Sequence, residues 1–425
     1  MARISLPYGA KHLTADIPDD RLAGVLVSRA HEYRPDKSEE GLVLAALANP
    51  VGSPRLRDLA RGRKNIVIIS SDHTRPVPSR VTMPPLLAEI RAGAPDADLT
   101  ILVATGGHRA STREELVAKY GEDIVRTTRI VMHDSHDESA HVGIGVLPSG
   151  GSLDLDKTAW EADLLVAEGF IEPHFFAGFS GGRKSVLPGI VSYPTVMANH
   201  CSEFIASDRA RTGILDGNPL HVDMLYAAEK ARLAFILNVV IDADKHVIAA
   251  FAGHRERAHE AGCAFVSDLA GVDARPADIV ITSNGGYPLD QNIYQSVKGM
   301  TAAEASCKPG GVIIIASECS DGHGGESFYR AFAEEPSVQK IMDGILARGR
   351  DETIPDQWEI QVLARILLKY TVIMVTGVPR EIVENMSMKW ACDMGTAISM
   401  AKAITGGDHS TFTVIPDGIA VIVRQ

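Results

Sequence analysis

Four polar segments of this 425-residue chain carry side chains able to move protons, clamp anions or ligate a metal. The richest, residues 168–200, contains Gly178-Phe-Ser-Gly-Gly-Arg-Lys-Ser185 between His174 and His200. Glycines let a backbone approach an anion closely, and Arg183 and Lys184 can neutralise it. A P-loop places Gly directly before its Lys, where this chain has Arg183. The segment therefore suits an anchored phosphate, or a lysine held for covalent work. The other segments are Ser70-Ser-Asp-His-Thr-Arg-Pro-Val-Pro78, Thr105-Gly-Gly-His-Arg109 and residues 284–298. Arg75 and Lys298 are anion clamps, His108 and His174 exchange protons near neutral pH, and His200 beside Cys201 is a candidate metal ligand.

Two bases and a carboxylate clamp suit an enzyme that works on both faces of a small hydroxy or amino acid. Imidazole alone abstracts the α-proton of an unactivated hydroxy acid very poorly, so an electron or hydride acceptor has to be supplied. A Rossmann motif does not supply it, because Gly143-Ile-Gly-Val-Leu-Pro148 breaks the required glycine spacing. The cluster His133-Asp-Ser-His-Asp-Glu138 with His141 fits no standard ligand set and reads as a solvated loop.

These groups need a scaffold, and the apolar pattern provides one. The continuous runs 65–70 and 99–104 read as strands buried on both faces, joined by an amphipathic helix at 79–91 in a βαβ unit. Ser111-Thr-Arg-Glu-Glu115, a Ser/Thr followed by Glu three residues on, reads as a capping box that starts another helix. Runs 163–167 and 278–282 precede the two remaining polar segments, so all four follow buried strands, whose carboxyl ends share one side of a parallel sheet. Helices are expected at 22–33, 41–47, 255–269 and 389–404, a hairpin at 233–251, and a closing strand pair at 412–415 and 419–423. The expected fold is α/β: two domains with largely parallel sheets and an active-site cleft between them. Residues 1–270 would carry the lysine and the histidines, and residues 276–425 the substrate-binding groups.

With 54 acidic against 42 basic residues the net charge is −12, which disfavours nucleic acid and anionic membrane as partners. No apolar run approaches a membrane span and the N-terminus lacks the apolar stretch of a signal peptide, so a cytoplasmic protein is expected. Five scattered cysteines without a C-x-x-C pair indicate neither a disulfide framework nor a structural zinc site.

Asp72-His-Thr-Arg75, Gly107-His108, His174-Phe-Phe-Ala-Gly178, Gly181-Gly-Arg-Lys184, Ala198-Asn-His200 and Asn284-Gly-Gly-Tyr-Pro-Leu-Asp-Gln-Asn-Ile-Tyr-Gln295 with Lys298 closely resemble the nickel-pincer-nucleotide-dependent lactate racemases. The resemblance covers essentially the whole chain. It implies racemisation of lactate with pyridinium-3-thioamide-5-thiocarboxylic acid mononucleotide bonded to Lys184, and its nickel ligated by His200. It implies that His108 and His174 stand on opposite sides of the substrate, each taking the hydroxyl proton of one enantiomer as the α-hydrogen leaves as hydride and pyruvate forms. Arg75, Tyr294, Gln295, Lys298 and Trp358 would hold the substrate. Asp72 and the backbone of Ser180, Gly181, Gly182 and Arg183 would hold the ribose and phosphate. Separate enzymes would build the cofactor, and the protein would be a monomer or homodimer. Two alternatives stay open: a racemase of malate or a longer 2-hydroxy acid, decided by the pocket around Phe175, Phe176, Tyr294 and Trp358, and a non-catalytic carrier of the nickel nucleotide.

Overall fold

The computed structural model describes residues 1–242 and 244–424. They form two compact units, one of Ala30–His200 and Arg209–Asp268, the other of Met1–Arg29, Cys201–Asp208 and Leu269–Gln425. Both are α/β, with the largely parallel sheets expected from the apolar runs.

The first unit is built on a six-stranded sheet in the order Val247–Gly253, Leu233–Ile241, Leu164–Phe170, Asn65–Ser71, Asp98–Ala104, Arg129–Met132. Only the hairpin pair Leu233–Ile241 and Val247–Gly253 is antiparallel. Ile66, Val67, Ile68 and Ile69 are all fully buried, so this central strand has no wet face. Each such side chain contributes about 1.5–3 kcal/mol on burial. Helices Glu39–Ala48 and Ser79–Gly93 cover one face through Val43, Leu47, Met83, Leu86 and Ile90. The sheet is thus a rigid base for the loops that leave Ser71, Ala104 and Phe170, which carry Asp72, His108 and the segment from His174 to Lys184.

In the second unit six strands are all parallel, in the order Lys389–Ala391, Thr371–Val375, Cys307–Ala316, Ala277–Ser283, Phe412–Ile415, Leu22–Val25. Helix Ile293–Glu304 follows the Ala277–Ser283 strand, capped by Asn292, whose side chain accepts from Gln295 N at 2.9 Å. It carries Tyr294, Gln295 and Lys298.

Three local expectations differ from the structure. Residues 22–25 form an edge strand rather than the start of a helix, and pairing with Phe412–Ile415 makes Met1–Arg29 part of the second unit. The closing strands do not pair with each other: Phe412–Ile415 lies in the six-stranded sheet, while Ile422–Arg424 pairs with Gly271–Asp273. Residues 389–404 begin as the strand Lys389–Ala391 before the helix Met394–Thr405. In each case a partner distant in sequence overrides the local periodicity. Among the described residues no helix is long and apolar enough to cross a membrane.

Candidate active site

His108 and Asp72 sit on loops after adjacent strands and meet, with Nδ1 of the imidazole 2.8 Å from Oδ2 of the carboxylate. A carboxylate only accepts, so the proton is on Nδ1 and the lone pair on Nε2, as a base requires. Asp72 is 2% exposed whereas the His108 side chain is 46% exposed, so a buried anion orients an accessible ring. Thr74 adds two donors to Asp72 Oδ1, from N at 2.9 Å and Oγ1 at 2.6 Å. Burial acts to raise the Asp72 pKa, but the hydrogen bonds from His108 and Thr74 outweigh it and hold it at about 2. Asp72, expected on the cofactor ribose, therefore has both carboxylate oxygens engaged within the protein. Arg75 is exposed, and its Nη1 donates to Thr74 Oγ1 at 3.0 Å.

The loop after Leu164–Phe170 brings His174 Nε2 to 3.1 Å from Lys184 Nζ. Phe176 gathers three of the singled-out groups around one ring. Its centroid is 4.5 Å from that of His174, 5.4 Å from that of His200 and 5.6 Å from Lys184 Nζ. His200 closes the helix Tyr193–Asn199 and donates from Nδ1 to Val196 O at 3.0 Å, which places its lone pair on Nε2. Burial, reinforced by the Lys184 ammonium, pushes the His200 pKa down to about 3. A neutral imidazole of fixed tautomer is the form that ligates a transition metal. A half-buried amine and a metal-ready imidazole at one aromatic ring fit a lysine-tethered nickel nucleotide.

In the second unit, the helix that carries Tyr294, Gln295 and Lys298 packs against the helix Gln357–Leu367, which carries Trp358. Lys298 Nζ donates to Gln295 Oε1 at 2.7 Å, and the Tyr294 hydroxyl donates to Asp356 Oδ1 at 3.1 Å and also bonds Trp358. Glu359, which sequence reasoning missed, is 1% exposed, and its Oε1 has no hydrogen-bond partner among the described residues. Burial pushes its pKa up to about 8 against the pull of Lys298, with Asp356 adding to the rise. Nothing in Asp356-Gln-Trp-Glu359 distinguishes this carboxyl from an ordinary acid in the first turn of a helix.

That proton couples stability to pH. With the folded pKa above the ordinary 4.5, the contribution is complete below pH 4.5 and is lost as the pH rises to about 8. The loss is at most about 1.4 kcal/mol per pH unit. Thermal unfolding followed from about pH 6 to pH 9 is expected to show a falling melting temperature in the parent protein and a flatter profile in Glu359→Gln. Equal slopes in the two proteins would show that Glu359 titrates as an ordinary carboxyl.

Residues 8–213 match the lactate racemase N-terminal domain, and residues 272–423 the lactate racemase C-terminal domain. The chain belongs to the lactate racemase family. It is 61% identical over 426 residues to the lactate racemase of Thermoanaerobacterium thermosaccharolyticum and 56% identical over 425 residues to that of Lactiplantibacillus plantarum, with 100% of each chain covered. Its structure matches that of the lactate racemase apoprotein from Thermoanaerobacterium thermosaccharolyticum with a TM-score of 0.96 at 60% identity, covering 100% of both chains. A Thermotoga maritima protein at 19% identity shares the fold, with a TM-score of 0.65 over 92% of this chain and 100% of the other.

In this lactate racemase family chain the glycine loop spends several of its polar groups on itself. The Ser180 hydroxyl accepts from Glu172 N at 2.9 Å and donates to Phe170 O at 3.1 Å, and Ser180 N donates to Glu172 O at 3.0 Å. Gly182 N donates to Asn238 Oδ1 at 2.7 Å. Arg183, read from the sequence as a cation facing an anion, is 1% exposed and donates inward to the carbonyls of Ala177 and Phe179. Its five donors need acceptors wherever the side chain goes, and the loop's own carbonyls are within reach. The polar cluster read as solvated is also partly internal. His133 is buried, with Nδ1 2.9 Å from Asp156 Oδ2 and Nε2 3.1 Å from Val191 O, and His141 is buried beside it. Asn238 had one sequence signal, a lone amide within the apolar strand Leu233–Ile241.

Proposed function

We propose that the protein is a lactate racemase, interconverting D- and L-lactate with a nickel pincer nucleotide bonded to Lys184. The observation that carries this reading is the meeting of Lys184, His174 and His200 around Phe176, in a chain of this family. When bound, the group supplies an acceptor for the substrate α-hydrogen as hydride. The remaining work falls to the chain. His108, held by Asp72, and His174 exchange the hydroxyl proton, one for each enantiomer. Arg75 and Lys298 hold the carboxylate, with Tyr294, Gln295 and Trp358 completing the substrate contacts. His200 Nε2 holds the nickel, and the buried rings of Phe175 and Phe176 keep water from the reacting groups.

Protein produced together with cofactor-building enzymes is expected to racemise L-lactate in a chiral assay and to carry added mass on the peptide containing Lys184. Malate and longer 2-hydroxy acids, tested in parallel, are expected to turn over more slowly. Faster turnover of one of them would reassign the substrate, and added mass without turnover of any would point to a carrier.

A further inference from the structure

Among the described residues Arg183 is the largest fully buried side chain. Among the described residues it has no carboxylate partner. Its guanidinium is satisfied by neutral acceptors instead: Ala177 O at 2.7 Å, Phe179 O at 2.8 Å, Gly181 O at 3.4 Å and His221 Nδ1 at 3.0 Å. His259 Nε2 lies 3.1 Å from Nη1 and 2.9 Å from Ser180 O, and with a single nitrogen it serves one of them at a time, accepting from the cation or donating to the carbonyl. The three carbonyls alternate along the stretch between His174 and Lys184. A planar fork with five donors can gather them at one point, which a lysine cannot do.

The start of helix Pro219–Lys230 closes the arrangement. Its cap, Asn218, donates from Nδ2 to Phe176 O at 2.8 Å, and one turn on His221 accepts from Arg183 Nε. One helix end therefore fixes both the backbone of Phe176 and the hub of the loop. Behind Lys184 the fit leaves no slack. Gly182 has φ +53°, and a Cβ there would fall 2.6 Å from His259 Cγ. Burial, with Arg183 adding to it, pushes the His221 pKa down to about 4, which keeps the ring a neutral acceptor at working pH.

Resting on the proposed function, we infer that Arg183 and its acceptor His221 are positioning residues that hold the Lys184 amine beside His174 for covalent attachment. Neither touches substrate, and both act through the loop. The requirement is an acceptor at the Nδ1 position of residue 221, and two near-isosteric substitutions separate position from polarity. His221→Asn puts an amide oxygen near Nδ1, whereas His221→Gln carries it out toward Nε2.

Both variants and the parent would be produced with the cofactor-building enzymes, with folding followed by thermal unfolding and attachment by the mass of the Lys184 peptide. His221→Asn is expected to load as the parent does. His221→Gln is expected to load at least about tenfold less and, as apoprotein, to show a changed rate of Lys184 labelling by trinitrobenzenesulfonate relative to the other lysines. Equal loading of the two variants, at whatever level, overturns the inference. A parent protein that carries no mass on Lys184 overturns the proposed function itself, so the two failures are distinguishable.

Discussion

Racemisation by His108→Ala is expected to fall by about 10²–10⁴-fold from either enantiomer, while the mass carried by Lys184 stays unchanged. In the proposed mechanism one base takes the hydroxyl proton of one enantiomer, and the other base gives a proton to the oxygen to form the opposite enantiomer. Each base therefore serves in both directions, and the loss of one stops both. The His108 ring is accessible, and what orients it is the buried Asp72 carboxylate 2.8 Å from Nδ1. Asp72→Asn is expected to be nearly as damaging. An amide that turns its NH₂ toward Nδ1 favours the other tautomer and puts a proton on the nitrogen that should accept one. Progress curves from D- and L-lactate, normalised to loading by intact mass, give both effects. Turnover in His108→Ala within about tenfold of the parent would remove the paired-base assignment.

The parts of this site that could be read from sequence are those that depend on local pattern. Strands Asn65–Ser71 and Asp98–Ala104 announce themselves because a parallel strand covered on both faces has no polar side, and the loops that follow them inherit their place from the sheet. The capping box at Thr112 and Glu115 is local and is present. Pairings across the fold leave no such mark. Asp72 and His108 stand 36 positions apart, and Arg183 and His221 38 apart, so neither bond has a sequence spacing to betray it. The direction of the Arg183 side chain was the hardest to read. Beside Lys184 in a glycine loop it has the composition of an anion clamp, and only the inward carbonyls of Ala177, Phe179 and Gly181 show that its charge holds the loop together.

This division of labour between adjacent cations also sets what the loop can tolerate. Arg183 is fully buried and bonded on several edges, while Lys184 is half-buried, against the Phe176 ring and His174. Exchanging one for the other is not conservative at either position. Arg183 needs the fork, and Lys184, in its proposed role as the tether, needs an amine that can lose its proton and form a bond.

Lys184→Arg is accordingly expected to abolish the added mass and to reduce racemisation to the uncatalysed background. The substitution keeps a positive charge over the Phe176 ring, where the amine now lies 5.6 Å from the centroid, so the packing of the loop has a reason to persist. A guanidinium remains protonated at working pH and does not act as a nucleophile. The variant thus separates charge from bond formation, which Lys184→Ala would remove together. Intact mass and a chiral lactate assay on the same preparation decide the matter. Loss of mass with racemisation retained would mean that His200 and the loop hold the nucleotide without a tether. Retained mass would place the covalent bond on another side chain and withdraw Lys184 from the chemistry.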